Sequence, residues 1–329
     1  MAGRGGVADR ASVPGHSSAG IRGPRLGPSS SATTFAGRRF RENLTGWGFA
    51  LPFVVIFVVF MAAPIVASLI LSFTNFGLAD LRNPLGTSFV GLDNFVKLIG
   101  DPKFVAAILN TAYFVVVGVP LTLIVGLATA LALNRGITRF RTHFRVGYYL
   151  PVVTSIVAIA VVWRFVLNPD QGLVNALLQS AGIQGPNWLA DPALAMPSII
   201  AMATWRNLGF AMIIFLAGLQ TIPATLYEAA AIDGAGRWQA FRHVTVPMLR
   251  PTILFMTVIT TIGYLQLFEE PFVMTAGGPL DRTLSISMYM YQQGFVFFHQ
   301  GYAAAIAWVL FLIVAVVAFV QFRVLRSET

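Results

Sequence analysis

Glu228 to Pro247 reads EAAAIDGAGRWQAFRHVTVP, a polar interruption between two apolar segments. Its residue types suit docking and mechanical transmission rather than bond making. Pro223 can open a short helix at its first position, where a missing N–H costs nothing. Leu226 to Ile232 continue it, and Ala229, Ala230 and Ala231 give high helix propensity and a narrow profile. Asp233-Gly234 is a turn signal, and Gly236, after Ala235, adds a second point of backbone freedom. Arg237 to Val244 reads as a second short helix, with Trp238 and Phe241 on one face. Pro247 and Pro251 are expected to end it and set a new direction. The result is a helix-turn-helix foot, small-surfaced on one side and aromatic on the other, shaped for a groove on another protein. The plainer alternative is an ordinary loop between membrane helices.

A second set of polar residues lies inside the apolar segments. If a helix starts near Pro197, Arg206 falls roughly 14 Å along it at ~1.5 Å per residue, close to the middle of a bilayer. A charge there costs several kcal/mol on an isolated helix, and such residues usually face a cavity or a partner. Trp205 and Asn207 flank it, types suited to stacking on and hydrogen-bonding a polar solute. The alternatives are a structural pair with a partner subunit or an outward snorkel. Tyr264, Gln266 and Glu269 are further candidates for a solute pathway. Residues 264, 268 and 271 share a helix face only if that helix persists past Phe268, which Pro271 opposes. Glu269 and Glu270 could instead sit at the outer headgroup level. Asn110, with Thr111 and Tyr113, is a pathway candidate whose alternative is helix capping beside an aromatic anchor. No phosphate-binding loop, nucleophile elbow or zinc-protease motif occurs, so no catalytic residue is expected.

These residues need a scaffold, and composition says which. The chain has 329 residues, 56% hydrophobic and 11% charged. That marks an all-α polytopic membrane protein rather than a soluble domain. Without cysteine, disulfide and Cys-based metal chemistry are unavailable, and the four His show no ligand-pair spacing, so no metal site is expected. The formal charge of +9 is no nucleic-acid footprint, because it concentrates in one tail and short loops. Residues 1–45 are rich in Gly, Ser, Pro and Arg, lack apolar periodicity, and are expected to be disordered. The apolar run after them is too long for a signal peptide.

Six membrane segments are expected: about Trp47–Phe73, Ala106–Leu133, Val146–Leu167, Pro197–Gln220, Thr252–Phe268 and Gly301–Phe322. The first exceeds the roughly twenty residues a span requires; the fifth is the shortest, interrupted by Thr257, Thr260, Thr261 and Gly263. Basic residues cluster in the tail (Arg4, Arg10, Arg22, Arg25, Arg38, Arg39, Arg41), the second loop (Arg135, Arg139, Arg141, Arg145), the foot (Arg237, Arg242, Arg250) and the end (Arg323, Arg326). The opposite loops hold only Arg82, Lys97, Lys103 and Arg282, with Arg164 at a segment edge. The positive-inside rule therefore places both termini and the foot, residues 221–251, in the cytoplasm.

Glu228-Ala229-Ala230, then Asp233-Gly234-Ala235, then Pro247 resembles the EAA loop of membrane subunits of bacterial ABC importers. FVGLDNFVKLIGDPKF, NPDQGLVNALL and TAGGP resemble phrases of the carbohydrate-uptake branch of that family, in the first of its two usual permeases. The resemblance covers about Gly46 to the C-terminus. It implies a type I importer permease fold over residues 46–329, in the bacterial inner membrane, with the foot as coupling helix. Glu228 would make a polar contact with an ATPase subunit, and Gly234 would serve the turn. The implied partners are a second, homologous permease, two ATPase subunits that carry ATP and magnesium, and an extracytoplasmic solute-binding protein. No cofactor would bind this chain. A sugar is the implied substrate; glycerol phosphate or a related polyol is a near alternative that Arg206 would suit. A membrane enzyme or a scaffold without transport is the alternative from another class.

Overall fold

A computed structural model describes residues 47–83, 86–135 and 141–326. The basic tail expected over 1–45 lies outside them. Among the described residues thirteen α-helical segments carry the fold, and the only strand-like pairing is an antiparallel bridge, Thr74 with Phe89. The chain divides into two compact units, Met1–Ala63 and Pro64–Thr329.

The first helix, α1 (Trp47–Ser72), is apolar throughout and exposes Phe49, Phe53 and Phe60, as a lipid-facing helix should. A wide turn at Val58–Ala62, closed by Ala63 N–H to Val58 O, precedes Pro64 and accommodates a residue that has no N–H to give.

In the larger unit, α2 (Asp93–Gly100) leads into α3 (Pro102–Arg135). Asp101 caps α3, accepting from the amides of Lys103 and Phe104 and from the hydroxyls of Tyr289 and Tyr302. Burial pushes the Asp101 carboxyl up, but these donors outweigh it and hold the group below its ordinary value.

The third segment differs from the single helix expected over Val146–Leu167. It is two helices, α4 (Arg141–Val153) and α5 (Ile156–Val166), bent by 101°. Pro151 has no N–H for the helical ladder, Thr154 Oγ1 bonds back to Leu150 O at 2.9 Å, and Ser155 is extended at ψ 127°. After α6 (Leu173–Ser180) comes α7 (Ala195–Gln220), the central helix. Ile199, Met202, Ala203, Ala211, Met212 and Phe215 are all buried along it.

Small residues let neighbours approach α7 closely, as in other membrane bundles. A Cβ on Gly126 of α3 would lie 2.6 Å from Ala211 Cβ. One on Gly209 of α7 would lie 2.1 Å from Tyr148 O of α4 and 2.8 Å from Tyr149 Cα, backbone atoms that cannot swing aside. Gly209→Ala is therefore expected to destabilise the purified protein by about 1–3 kcal/mol through overpacking. Gly263→Ala, with open space around the added atom, is the control. Equal thermal-unfolding midpoints for the two variants would refute the close approach.

The foot follows as α8 (Ala224–Ile232) and α9 (Arg237–Met248), and α10 (Arg250–Leu265) returns from it. Pro223 stands one residue before α8, with ψ 135°, rather than at its first position. Pro247 does not end α9, which runs on to Met248. A wide turn at Phe241–Thr245, closed by Val246 N–H to Phe241 O, comes just before the proline and opens the ladder for it. The break falls at Leu249, where α9 and α10 meet at 66°, and Pro251 occupies the first turn of α10. The fifth segment thus begins and ends earlier than Thr252–Phe268. Beyond it lie α11 (Glu269–Met274), α12 (Ile286–Tyr291) and α13 (Gln300–Arg326). Among the described residues, α1, α3, α7 and α13 are long and apolar enough to cross a membrane singly, and the pairs α4/α5 and α9/α10 bring the spans to six if each crosses once.

Candidate functional site

Helices α3, α7 and α10 converge on a cavity of about 390 Å³. Its polar wall holds Thr122, Arg206, Asn207, Thr260 and Tyr264, with Gln266, Glu269 and Glu270 where α10 gives way to α11. Phe114, Phe210 and Met256 are among its apolar members. Tyr264 is the hub. Its hydroxyl lies 2.8 Å from Thr122 Oγ1 and accepts from Asn207 Nδ2 at 3.4 Å, while its ring meets Phe114 at 4.8 Å. Thr122 also donates to Thr204 at 3.3 Å. Asn207 Nδ2 donates to Ala203 O at 2.9 Å, which fixes the amide and turns its oxygen toward Arg206 Nη1 at 3.4 Å. Arg206 Nε is buried and has no hydrogen-bond partner among the described residues. A guanidinium lining a cavity with a free donor can serve a polar occupant.

The α10 helix ends at Leu265, where Gln266 has ψ 21°, so residues 264, 268 and 271 do not share one helix face. Tyr264 enters the cavity, Phe268 packs on Phe272 and Tyr291, and Pro271 is buried in the first turn of α11. Glu269 lines the cavity and is exposed. Glu270, also considered for the headgroup level, is instead 7% exposed and belongs to the same wall. Burial pushes its carboxyl up to about 7, against the pull of Arg206.

Two expected pathway residues stand apart. Trp205 points away from Arg206, as adjacent helical positions must. It meets Trp163 at 5.8 Å and stays partly exposed. Asn110 is committed to the chain itself, donating to Asp281 O at 2.7 Å and Leu284 O at 3.0 Å, and holds the loop before α12. Conversely, Thr122 joins the wall without having been singled out; its one signal is a hydroxyl in a long apolar run.

The foot presents a second surface. No residue of α8 is buried, and Ile232 is exposed beside Glu228 and Ala229. Gly234 N–H bonds to Ala231 O at 3.1 Å and Ala235 N–H to Ala230 O at 2.9 Å. That pair of bonds is a Schellman C-cap, and Gly234 supplies the left-handed residue it needs at φ +78°. Asp233 is the residue at the helix end, and Gly236 N–H takes the Gln239 side chain at 2.7 Å. Trp238 and Phe241 stack at 5.3 Å, Trp238 being 70% exposed. Tyr227 and Thr245 hydroxyls meet at 2.9 Å and tie α8 to α9.

Among the described residues no three acidic or histidine side chains group as metal ligands. Residues 118–327 match the family described as binding-protein-dependent transport system inner membrane component. The lactose transport system permease protein LacF of Rhizobium radiobacter is 41% identical over 292 residues, 87% of this chain and 95% of that protein. The arabinooligosaccharides transport system permease protein AraP of Bacillus subtilis is 32% identical over 305 residues, 91% and 95% of the two chains. In a crystal structure of a bacterial ABC transporter involved in the import of the acidic polysaccharide alginate, one chain superposes with a TM-score of 0.74 at 26% identity, covering 89% of this chain and 99% of that one.

Proposed function

The chain belongs to the family of inner-membrane components of binding-protein-dependent transport systems, and from that premise we propose that it passes an oligosaccharide through the cavity at Arg206 by alternating access. It is a permease of an ABC importer and not itself an enzyme. The observation that carries the reading is connectivity. The foot is spliced between two cavity-lining helices, α8 following α7 after a short turn and α9 joining α10 through the buried Leu249. A push on the foot therefore moves two walls of the cavity at once.

Two ATPase subunits close on ATP and draw together this foot and that of a second, homologous permease. The cavity then opens outward to receive sugar from a solute-binding protein, and hydrolysis resets it. Glu228, Ala229, Ala230 and the exposed Trp238–Phe241 stack form the surface offered to the ATPase. Within the cavity, Arg206, Asn207, Tyr264, Gln266 and Glu269 supply the donors and acceptors that replace water around sugar hydroxyls. Both termini face the cytoplasm.

The chain has no cysteine, so a single Trp238→Cys substitution gives a clean accessibility probe. It is expected to react with a membrane-impermeant thiol reagent only in inside-out vesicles. In cells expressing the whole system, unlabelled neutral oligosaccharides are expected to compete for uptake and phosphorylated polyols to fail. Labelling from outside the cell alone would refute the coupling role.

A further inference from the structure

The relatives leave the charge class of the cargo open: one is named for lactose, and a related solved transporter imports an acidic polysaccharide. The charges on the cavity wall speak to it directly. Arg206 is the single cation among the lining residues, and two carboxylates, Glu269 and Glu270, share that lining. Glu270 is 7% exposed, so its charge state acts on the cavity with little screening by water. Its carboxyl and the Arg206 guanidinium interact electrostatically. Arg164, which donates to Val273 O of α11 at 3.3 Å, is not among the residues lining the cavity.

Taking the carbohydrate cavity proposed above as given, we infer that Glu270 sets the charge class of the cargo, offsetting Arg206 so that the pathway accepts uncharged glycans and rejects anionic ones. Ionised Glu270 sets a buried carboxylate against Arg206, whereas water screens the exposed Glu269 and leaves it a weak counter-charge. With Glu270 ionised, the wall therefore lacks the net positive field that a uronate or sulfonate would need to leave water. A neutral glycan still gains from Arg206, whose guanidinium lines the cavity and has donors to offer a hydroxyl or ring oxygen. Arg206 thus acts as a hydrogen-bond donor with its charge already answered. Glu270→Gln preserves shape and hydrogen bonding but leaves the guanidinium offset only by the solvent-facing Glu269.

The test is binding to the assembled transporter in nanodiscs, without its binding protein, read as ligand-induced thermal stabilisation. The probes are glucose and glucuronate, one ring differing by a carboxylate. At about pH 8.5, above the value near 7 to which burial raises Glu270, wild type is expected to bind glucose at least tenfold more tightly than glucuronate. Glu270→Gln should improve glucuronate affinity at least tenfold while glucose stays within threefold. Glu270→Asp should keep the wild-type preference, which shows that charge rather than packing decides it. Tighter binding of glucuronate by wild type, or an unchanged preference in Glu270→Gln, overturns the role of Glu270 and leaves the carbohydrate cavity standing. A wild-type transporter that responds to neither sugar overturns the carbohydrate cavity itself, and this role with it.

Discussion

Arg206→Ala is expected to assemble with the partner subunits and import no solute. The charge is costly where it stands: several kcal/mol for an isolated helix at mid-bilayer. Its structural return is small, a single 3.4 Å contact to Asn207, with Nε left over. Stability alone therefore does not account for it, and the remaining role is toward an occupant of the cavity. A hydrogen bond from a charged donor contributes about 1.5–3 kcal/mol, so losing it lowers affinity roughly ten- to two-hundredfold. Alanine also leaves Glu270 in its buried place without the opposing cation. Co-purification of the full assembly checks folding, and labelled uptake checks the role. Uptake at the wild-type rate would remove Arg206 from the pathway.

Gly234→Val should break coupling in a protein that still reaches the membrane. The left-handed conformation at φ +78° costs an ordinary residue about 1–2 kcal/mol, and a β-branched one is an outlier there. Space is not the difficulty, since a Cβ at Gly234 would meet nothing within 4 Å. The strain is relieved by releasing the bonds from Gly234 to Ala231 and from Ala235 to Ala230, which unwinds the end of α8 and shifts Ala229 and Glu228. Uptake is expected to fall at least tenfold while ATP hydrolysis continues. Gly234→Asn, which tolerates the same backbone region, should retain most coupling. A valine variant with normal uptake and normal, solute-dependent ATPase activity would show that the turn does not transmit force.

Apolar run length placed the long helices well, because a bilayer demands it. Pro197–Gln220 became Ala195–Gln220, and Gly301–Phe322 lies inside Gln300–Arg326. Proline was less readable. Pro52 and Pro64 stay within α1, Pro151 precedes a bend of 101°, and Pro247 is absorbed by a wide turn. What separates these outcomes is whether neighbouring groups can take over the lost backbone bond, and composition does not record that. In the cavity, Arg206 and Tyr264 stood out as polar residues in apolar runs. Trp205 lies off this cavity because adjacency in sequence turns a helix by about 100°. Glu270 was named beside Glu269, but its burial was not legible, because that depends on how α11 folds back toward α5, a contact between residues far apart in the chain.

The bond between Tyr227 and Thr245 and the packed Leu249 at the elbow leave little slack between foot and cavity. A transmission without backlash has a thermodynamic corollary: force runs equally well in reverse. If the foot docks on ATPase subunits as proposed, solute pressing on the cavity walls is felt there, so an empty carrier idles and a loaded one calls for fuel.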